Sequence, residues 1–266
     1  MSFRLQQRSR LFDYARRMLM PGFDLCTRRR VRLSKYWQRG PRRFLDAGSG
    51  NGWFSYLAYR SGAVVTAVNA RRGEVEKAQL FYNSRLAAPR ERLDFKTLNL
   101  YQLEQLGESF DEIICYETLE HVKDDERVCR AFYKMLKPGG VLHLCCPYAE
   151  HPRWKAEVLD TAEAGGHVRA GYTLDSYRSL LEPIGFAITD VEGVGGPLLT
   201  KAELVLSSAR SRFGDAISLP LAILLFPVVW ADQPESTCPF SLYVRVVKPP
   251  GEVNGREPVK GSGNGR

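Results

Sequence analysis

The stretch Phe44-Leu45-Asp46-Ala47-Gly48-Ser49-Gly50-Asn51-Gly52 decides the fold of this chain. Residues 44–47 predict a short strand, and residues 53–60 directly after the stretch predict a helix. The three glycines between them allow a tight turn and let a ligand approach the main chain. Their G-x-G-x-G spacing differs from the G-x-G-x-x-G of dinucleotide-binding enzymes. The stretch therefore predicts a ligand-binding turn of another kind at the end of a strand.

Outward from this turn, apolar β-branched runs alternate with helical patterns. Further strands are predicted at 63–68, 93–98, 110–116, 141–146, 186–191 and 241–247, and helices at 74–86, 125–136 and 173–181. Repeated β-α-β units predict an α/β fold, with a Rossmann-like doubly wound, mostly parallel sheet and helices on both faces. The last strand follows a long excursion, so we expect it to be antiparallel and to add at a sheet edge. Residues 137–140 (Lys-Pro-Gly-Gly) are expected to close the helix before the fifth strand.

Two downstream stretches accompany the glycine turn. Lys137-Pro138-Gly139-Gly140-Val141-Leu142 leads into the fifth strand, and Glu120-His121-Val122 follows the fourth. Together with the glycine turn and Asp46, two residues before Gly48, these two stretches resemble the motifs of class I S-adenosylmethionine (SAM) dependent methyltransferases. The resemblance covers residues 42–191. The stretch at 116–122 is similar to that of quinone-biosynthesis O-methyltransferases, a type 11 methyltransferase group. The resemblance implies a methyltransferase with SAM as its cofactor.

The resemblance also implies a cofactor site at the carboxyl ends of the first four strands. The residues that match it are Asp46, Gly48, Gly50, Gly52, Asn69, Ala70, Asn99, Leu100 and Tyr116. Asn69 stands where the family usually has an acid that binds the ribose hydroxyls, and Asn99 where an Asp usually meets the adenine amino group. Each Asn keeps a carbonyl oxygen but loses the charge, so we expect SAM binding to be weaker by about 1 kcal/mol per site.

Methyl transfer to a hydroxyl needs an aligned acceptor and a group that removes its proton. The catalytic candidates are Glu117 and His121 after the fourth strand, and His167 in a later loop. Three interpretations of this region stay open. His121 is the general base; or the E-x-x-E-H pattern at 117–121 binds a divalent cation, as the resemblance suggests; or Glu120 and His121 stabilise the local turn.

The positive charge is concentrated near the N-terminus. Residues 1–43 hold 13 Lys and Arg against 2 Asp and Glu, a net charge of +11, whereas the rest of the chain carries −3. Residues 3–20 place apolar side chains on one helical face, so residues 1–41 are predicted to form a basic helical arm. We expect this arm either to attract an anionic partner, such as a membrane surface, nucleic acid or an acidic acceptor, or to be a solvated helical face.

An apolar stretch at 216–231 interrupts the α/β pattern within the excursion 193–239. It is shorter than the roughly 20 residues of a membrane-spanning helix and contains Pro220 and Pro227. We expect an apolar helical insertion, either a lid that completes the core or an interfacial segment. Residues 42–247 are then the methyltransferase domain, and residues 248–266 a disordered tail.

The cysteines and the acceptor chemistry complete the expectations. Adjacent Cys145 and Cys146 in an apolar run predict buried free thiols, and the N-terminus lacks an apolar h-region, so a cytoplasmic protein is expected. An N-P-P-Y type motif of amine methylation is absent after the fourth strand, which favours O-methylation of a small or amphiphilic, lipid- or glycan-linked acceptor. The alternatives are an RNA methyltransferase, disfavoured by the lack of an RNA-binding module, and an inactive membrane-recruited protein of the same fold.

Overall fold

A computed structural model describes residues 25–250, apart from 161, 164 and 234–236 and the side chains of 215, 216 and 219. The helix expected at 3–20 and all but the first residues of the tail at 248–266 lie outside the described residues. The described part of the basic arm, residues 25–41, packs onto the domain, with Leu25, Leu33 and Trp37 buried.

Seven strands form one mixed sheet in the order β3-β2-β1-β4-β5-β7-β6. Their bounds are β1 Arg43–Ala47, β2 Val64–Asn69, β3 Leu93–Thr97, β4 Phe110–Tyr116, β5 Leu136–Pro147, β6 Ala187–Val194 and β7 Ser241–Val247. The expected α/β architecture and the antiparallel last strand are confirmed. The edge position expected for β7 is wrong, because β7 pairs with both β5 and β6 and leaves β6 at the edge.

The helices cover both faces of this sheet. Their bounds are α1 Leu25–Arg30, α2 Trp53–Arg60, α3 Arg72–Ala78, α4 Asp125–Met135, α5 Pro152–Lys155, α6 Leu174–Leu181, α7 Pro197–Phe213 and α8 Asp215–Ala231. A π-helix, Gln79–Arg85, extends α3, and 3-10 turns lie at Val31–Tyr36, Leu100–Leu106, Leu119–His121 and Glu182–Ile184. Thr173 caps α6 in a capping box with Ser176.

The turn expected at 137–140 lies inside β5 instead of before it. Leu136 already pairs with Phe110, and pairing resumes at Val141 opposite Glu112, so the intervening residues form an irregularity in the ladder. The amide of Gly139 donates to the carbonyl of Lys248, and the amide of Lys248 donates to that of Gly140. These bonds to the chain after β7 satisfy the backbone groups that a free turn would expose to water.

Alternating strand residues feed two separate cores. Leu45 faces the core shared with α4 and α6, whereas its neighbour Phe44 faces the core shared with α2 and α3. A third apolar cluster joins α1, α7 and α8 around Leu25, Leu199 and Val229. The cysteines predicted to be buried are buried and free. None of the helices in the described part of the chain is long and apolar enough to cross a membrane.

Candidate active site

A cavity of about 650 Å³ opens at the carboxyl ends of β1, β2, β3 and β4. In the strand order, β1 and β4 are the point where the chain changes direction across the sheet, which is where open α/β sheets bind ligands. The lining residues come from the turns after four strands and from the loop near residue 165: Gly48, Gly50, Asn51, Asn69, Ala70, Arg71, Glu74, Asn99, Leu100, Tyr101, Glu117, Thr118, His121, Val122, Glu163 and Gly165.

The glycine turn forms one wall of this cavity. Gly48 has φ +87°, and a Cβ atom built on it would lie 2.3 Å from the Oγ1 atom of Thr118. The side chain of Thr118, after β4, therefore leaves room only for a glycine at position 48. Gly50 has φ +50° and no neighbouring atom within 4 Å of such a Cβ atom, so its conformation leaves open space in the cavity wall. The main chain is accessible to a ligand there.

Asp46 lies behind this wall. Its Oδ2 atom accepts a 2.5 Å hydrogen bond from the hydroxyl of Ser55, and the side chain is buried. Burial raises the pKa of Asp46 to about 7. Two more residues of the expected cofactor set, Gly52 and Tyr116, are also outside the cavity lining. A Cβ atom built on Gly52 would lie 2.7 Å from a ring atom of Phe95 and 2.8 Å from one of Tyr82, and the hydroxyl of Tyr116 accepts a hydrogen bond from the indole of Trp37.

Asn69 and Asn99 line the cavity, as do Ala70 and Leu100, the residues that follow them. The Oδ1 atom of Asn69 accepts a 2.8 Å bond from the amide of Arg71, and that of Asn99 accepts a 2.9 Å bond from the amide of Tyr101. Each Asn therefore uses one lone pair of its carbonyl to shape its own turn. One lone pair and the amide donors remain for a ligand.

Glu117 occupies a strained position at the end of β4. Its φ is +47°, which a residue with a side chain rarely adopts. Its Oε2 atom lies 2.8 Å from Nη2 of Arg30 on α1, and its Oε1 atom accepts a 3.1 Å hydrogen bond from the hydroxyl of Ser241. Both carboxylate oxygens have partners, so this side chain is held by α1 and β7.

Three side chains converge next to Glu117. A carboxylate oxygen of Glu120 and one ring nitrogen each of His121 and His167 lie within 4.8 Å of one another. Glu120 is fully buried, and neither of its carboxylate oxygens has a hydrogen-bond partner among the described residues. Burial, followed by repulsion from Glu117, raises the pKa of Glu120 well above its ordinary value. An orphaned buried carboxyl of this kind requires a proton or a cation.

The two imidazoles have different surroundings. Nδ1 of His121 lies 2.9 Å from the carbonyl oxygen of Gly166, so this nitrogen carries a proton and donates it. Nε2, the other ring nitrogen, lies 4.0 Å from Oε1 of Glu120. Burial lowers the pKa of His167, whose Nδ1 lies 2.8 Å from the carboxylate of Glu157. Both rings thus present a nitrogen toward Glu120.

The loop after α5 fastens to the turn after β4 and covers the cluster. The amide of Val168 donates to the carbonyl of Glu120, and the guanidinium of Arg169 donates to the carbonyl of Val122 and pairs with Asp125. These contacts hold His167 beside His121, with ring centroids 4.7 Å apart.

The structure brings together most, but not all, of the residues expected from the sequence. Those that line one cavity are Gly48, Gly50, Asn69, Ala70, Asn99, Leu100, Glu117 and His121, with His167 against His121. Sequence reasoning missed Arg30, Ser241 and Glu163. Arg30 lay in a run of basic residues with no local feature to single it out, and Ser241 and Glu163 belong to no motif of the sequence.

Known proteins resemble this chain in sequence and in fold. A family model described as a methyltransferase domain matches residues 14–191. The ubiquinone biosynthesis O-methyltransferase of Dinoroseobacter shibae is 32% identical over 160 residues, which cover 57% of this chain and 62% of that protein. The chain spans less than two thirds of the length of the first curated relatives it matches.

Solved structures share the fold at low sequence identity. An S-adenosylmethionine-dependent methyltransferase from Mesorhizobium loti has a TM-score of 0.52 and 22% identity, covering 82% of this chain and 96% of its own. The [4+2]-cyclase SpnF has a TM-score of 0.55 and 20% identity, covering 86% and 81%. A cyclase and a methyltransferase on one fold show that the architecture alone does not fix the reaction.

Proposed function

The chain belongs to the methyltransferase domain family, among the class I SAM-dependent methyltransferases, and we propose that it methylates an oxygen atom of a small or amphiphilic acceptor. The observation that carries the proposal is a single cavity that joins the glycine turn to the turn bearing His121. The first wall suits the cofactor, and the second supplies a base. SAM, when bound, supplies the methyl group on a sulfonium, and the protein aligns the acceptor.

The residues present fit the cofactor. Gly50 leaves open main chain at the cavity wall, and Asn69 and Asn99 retain amide donors and one carbonyl lone pair each. Asp46 supports the wall from behind and, when ionised, favours a cationic amino group nearby. We assign these residues to holding SAM, with Gly48, Ala70 and Leu100 completing the surface.

We assign the proton removal to His121. Its Nδ1–H is engaged by Gly166, so Nε2 carries the free lone pair. An acceptor hydroxyl in the cavity would lose its proton to Nε2, which lies 4.0 Å from Oε1 of Glu120. Glu117, whose oxygens are engaged by Arg30 and Ser241, fixes the shape of this turn.

A divalent cation is a second way for the same cluster to work, and the orphaned carboxyl of Glu120 favours it. Two imidazole nitrogens and one carboxylate are a ligand set that suits Zn²⁺, Mn²⁺ or Fe²⁺ better than Mg²⁺. These side chains would polarise an acceptor oxygen through the ion. Calorimetric titration with each metal distinguishes a metal site from general-base catalysis by His121 alone. If an ion binds at this cluster, Glu120→Gln abolishes its binding. A titration that is unchanged in this variant rules out the cation.

The proposed acceptor carries an oxygen nucleophile and an apolar part. The ubiquinone biosynthesis O-methyltransferases are the relatives that favour oxygen. The net charge of +11 on residues 1–43 and the apolar helix α8 favour an acceptor that is lipid- or glycan-linked and met at the cytoplasmic side of an anionic membrane. The competing outcomes of the test are methylation of RNA and the absence of any methyl transfer, as expected for an inactive, membrane-recruited protein.

The test is in two steps with the full chain. Calorimetric titration with SAM and S-adenosylhomocysteine establishes the cofactor site, and labelled SAM with lipid extract or total RNA then identifies the class of acceptor. We expect micromolar SAM binding, with label entering the lipid fraction in wild type and more than about ten-fold less label in His121→Gln. Label in RNA, or SAM binding without transfer to any fraction, contradicts the proposal.

A further inference from the structure

Helix α8 presents an apolar stripe to the outside of the molecule. Its exposed residues recur every three or four positions, so they share one face of the helix: Ile217, Pro220, Ile223, Leu224, Pro227 and Trp230. The side chains of Leu224 and Trp230 are 75% and 71% exposed. Leu198, Leu204, Val205 and Phe213 add exposed apolar side chains on the adjoining α7. Exposure of this many large apolar groups on one helix pair marks an interaction surface.

Arginines fringe this stripe. The guanidinium of Arg28 lies 3.6 Å from the ring centroid of Phe226, and that of Arg32 lies 5.3 Å from the ring of Trp230. Arg210 and Arg212 are exposed at the end of α7. The acids described nearby are turned inward: Asp232 is buried and accepts the amides of Gly196 and Leu199, and Glu203 accepts the amide of Leu25.

The dimensions of α8 suit a helix that lies flat on a surface. Its 17 residues span about 26 Å, and its inner face packs against α1 and α7 through Ala222 and Val229. A helix packed on one side into the domain can insert its other side only to the depth of its side chains. An exposed Trp at the end of such a stripe is typical of the boundary between headgroups and acyl chains.

We infer that the outer face of α7 and α8 is a docking surface for an anionic lipid bilayer. Apolar side chains enter the acyl region while Arg28, Arg32, Arg210 and Arg212 meet the headgroup phosphates. The biological use of this surface rests on the proposed function, because it brings the cavity to an amphiphilic acceptor.

The same face is less suited to a second copy of the chain. In a two-fold dimer the same patch lies on both subunits, so the interface would hold two sets of these arginines. A phosphate-bearing surface presents negative charge to all of them.

The test is co-sedimentation of the full chain with vesicles of phosphatidylcholine, with and without phosphatidylglycerol. The double variant Ile217→Glu/Leu224→Glu places charge in the stripe without touching a buried side chain. Leu80→Glu, at a residue 53% exposed in the π-helix after α3, is the matched control. We expect wild type and Leu80→Glu to bind the anionic vesicles, more weakly at high salt, and the double variant to bind about ten-fold less or worse.

Three results overturn the inference. They are vesicle binding by the double variant equal to that of wild type, no binding of wild type to either vesicle, and a wild-type dimer that the double variant dissociates without any vesicle binding. Calorimetry with SAM on the same samples keeps this test apart from the proposed function. If the wild type does not bind SAM, the proposed methyltransferase activity is contradicted. Vesicle binding tests the docking surface independently of that result.

Discussion

The guanidinium of Arg30 and the carboxylate of Glu117 form a 2.8 Å ion pair that joins helix α1 to the end of β4. The side chain of Arg30 is 8% exposed and that of Glu117 23%, so water screens this pair only in part. Since Glu117 adjoins the buried Glu120, the arginine also offsets the repulsion between two carboxyl groups. Through this pair, the segment that packs against α7 and α8 fixes the turn that carries His121.

Removing the arginine is therefore expected to destabilise the protein. We predict that Arg30→Ala lowers the free energy of unfolding by about 2–4 kcal/mol, because it leaves the carboxylate of Glu117 without its cation. Arg39→Ala, an exposed arginine in the same part of the chain, should change it by less than about 0.5 kcal/mol. Urea denaturation of the variants measures both values. Arg30→Ala/Glu117→Gln should recover part of the loss, and a double variant as unstable as the sum of both single ones would show that the two residues are not coupled.

This pair also shows where sequence reasoning stops. The strands and helices were predictable because each is written in a short local pattern, and the predicted strand at 110–116 coincides with β4. The glycine turn and the residues after β2, β3 and β4 were predictable because carboxyl ends of parallel strands meet at one edge. Arg30 and Ser241 approach Glu117 from distant parts of the chain. Only tertiary packing creates those contacts, so no local pattern in the sequence predicts them.

The two glycines of the turn after β1 that line the cavity, Gly48 and Gly50, are expected to respond differently to a methyl group. At Gly48 a Cβ atom would overlap Thr118 at 2.3 Å in addition to the unfavourable φ, whereas at Gly50 only φ opposes it. We predict that Gly50→Ala costs about 1–2 kcal/mol of stability and weakens SAM binding, and that Gly48→Ala costs at least about 2 kcal/mol more. Thermal unfolding measures the difference. Thr118→Ala in the Gly48→Ala background should restore part of the stability, and equal melting temperatures of the two glycine variants would refute the overlap.

Asn69→Asp is expected to strengthen SAM binding. An aspartate keeps an oxygen for the amide of Arg71, so the turn is preserved, and adds a charged acceptor for the ribose hydroxyls. We predict a Kd lower by about five-fold, equivalent to about 1 kcal/mol. Calorimetric titration of wild type, Asn69→Asp and Asn69→Ala measures the order. If Asn69→Ala binds SAM as tightly as wild type, this side chain does not contact the cofactor.

Asp46 predicts a pH dependence of both stability and SAM binding. Burial raises its pKa to about 7 in the folded protein, whereas an unfolded aspartate titrates near pH 4. Between these values the folded state holds a proton that the unfolded state has lost, so the free energy of unfolding falls as pH rises from about 4 to 7. The proposed cofactor amino group is cationic and favours the ionised carboxylate, which gives SAM affinity the opposite trend.

The measurement is the Kd of SAM from pH 5.5 to 8.5 in wild type and in Asp46→Asn, which keeps an acceptor for the hydroxyl of Ser55. In wild type the Kd should fall by up to about ten-fold per pH unit below about 7 and level off above it. Glu120 and His167 also have shifted pKa values, so only the difference between the two proteins reports Asp46. Asp46→Asn should bind SAM more weakly above pH 7 and with a flatter pH profile. Parallel profiles for the two proteins would show that the carboxyl of Asp46 does not sense the cofactor, and its role would then be confined to supporting the glycine turn.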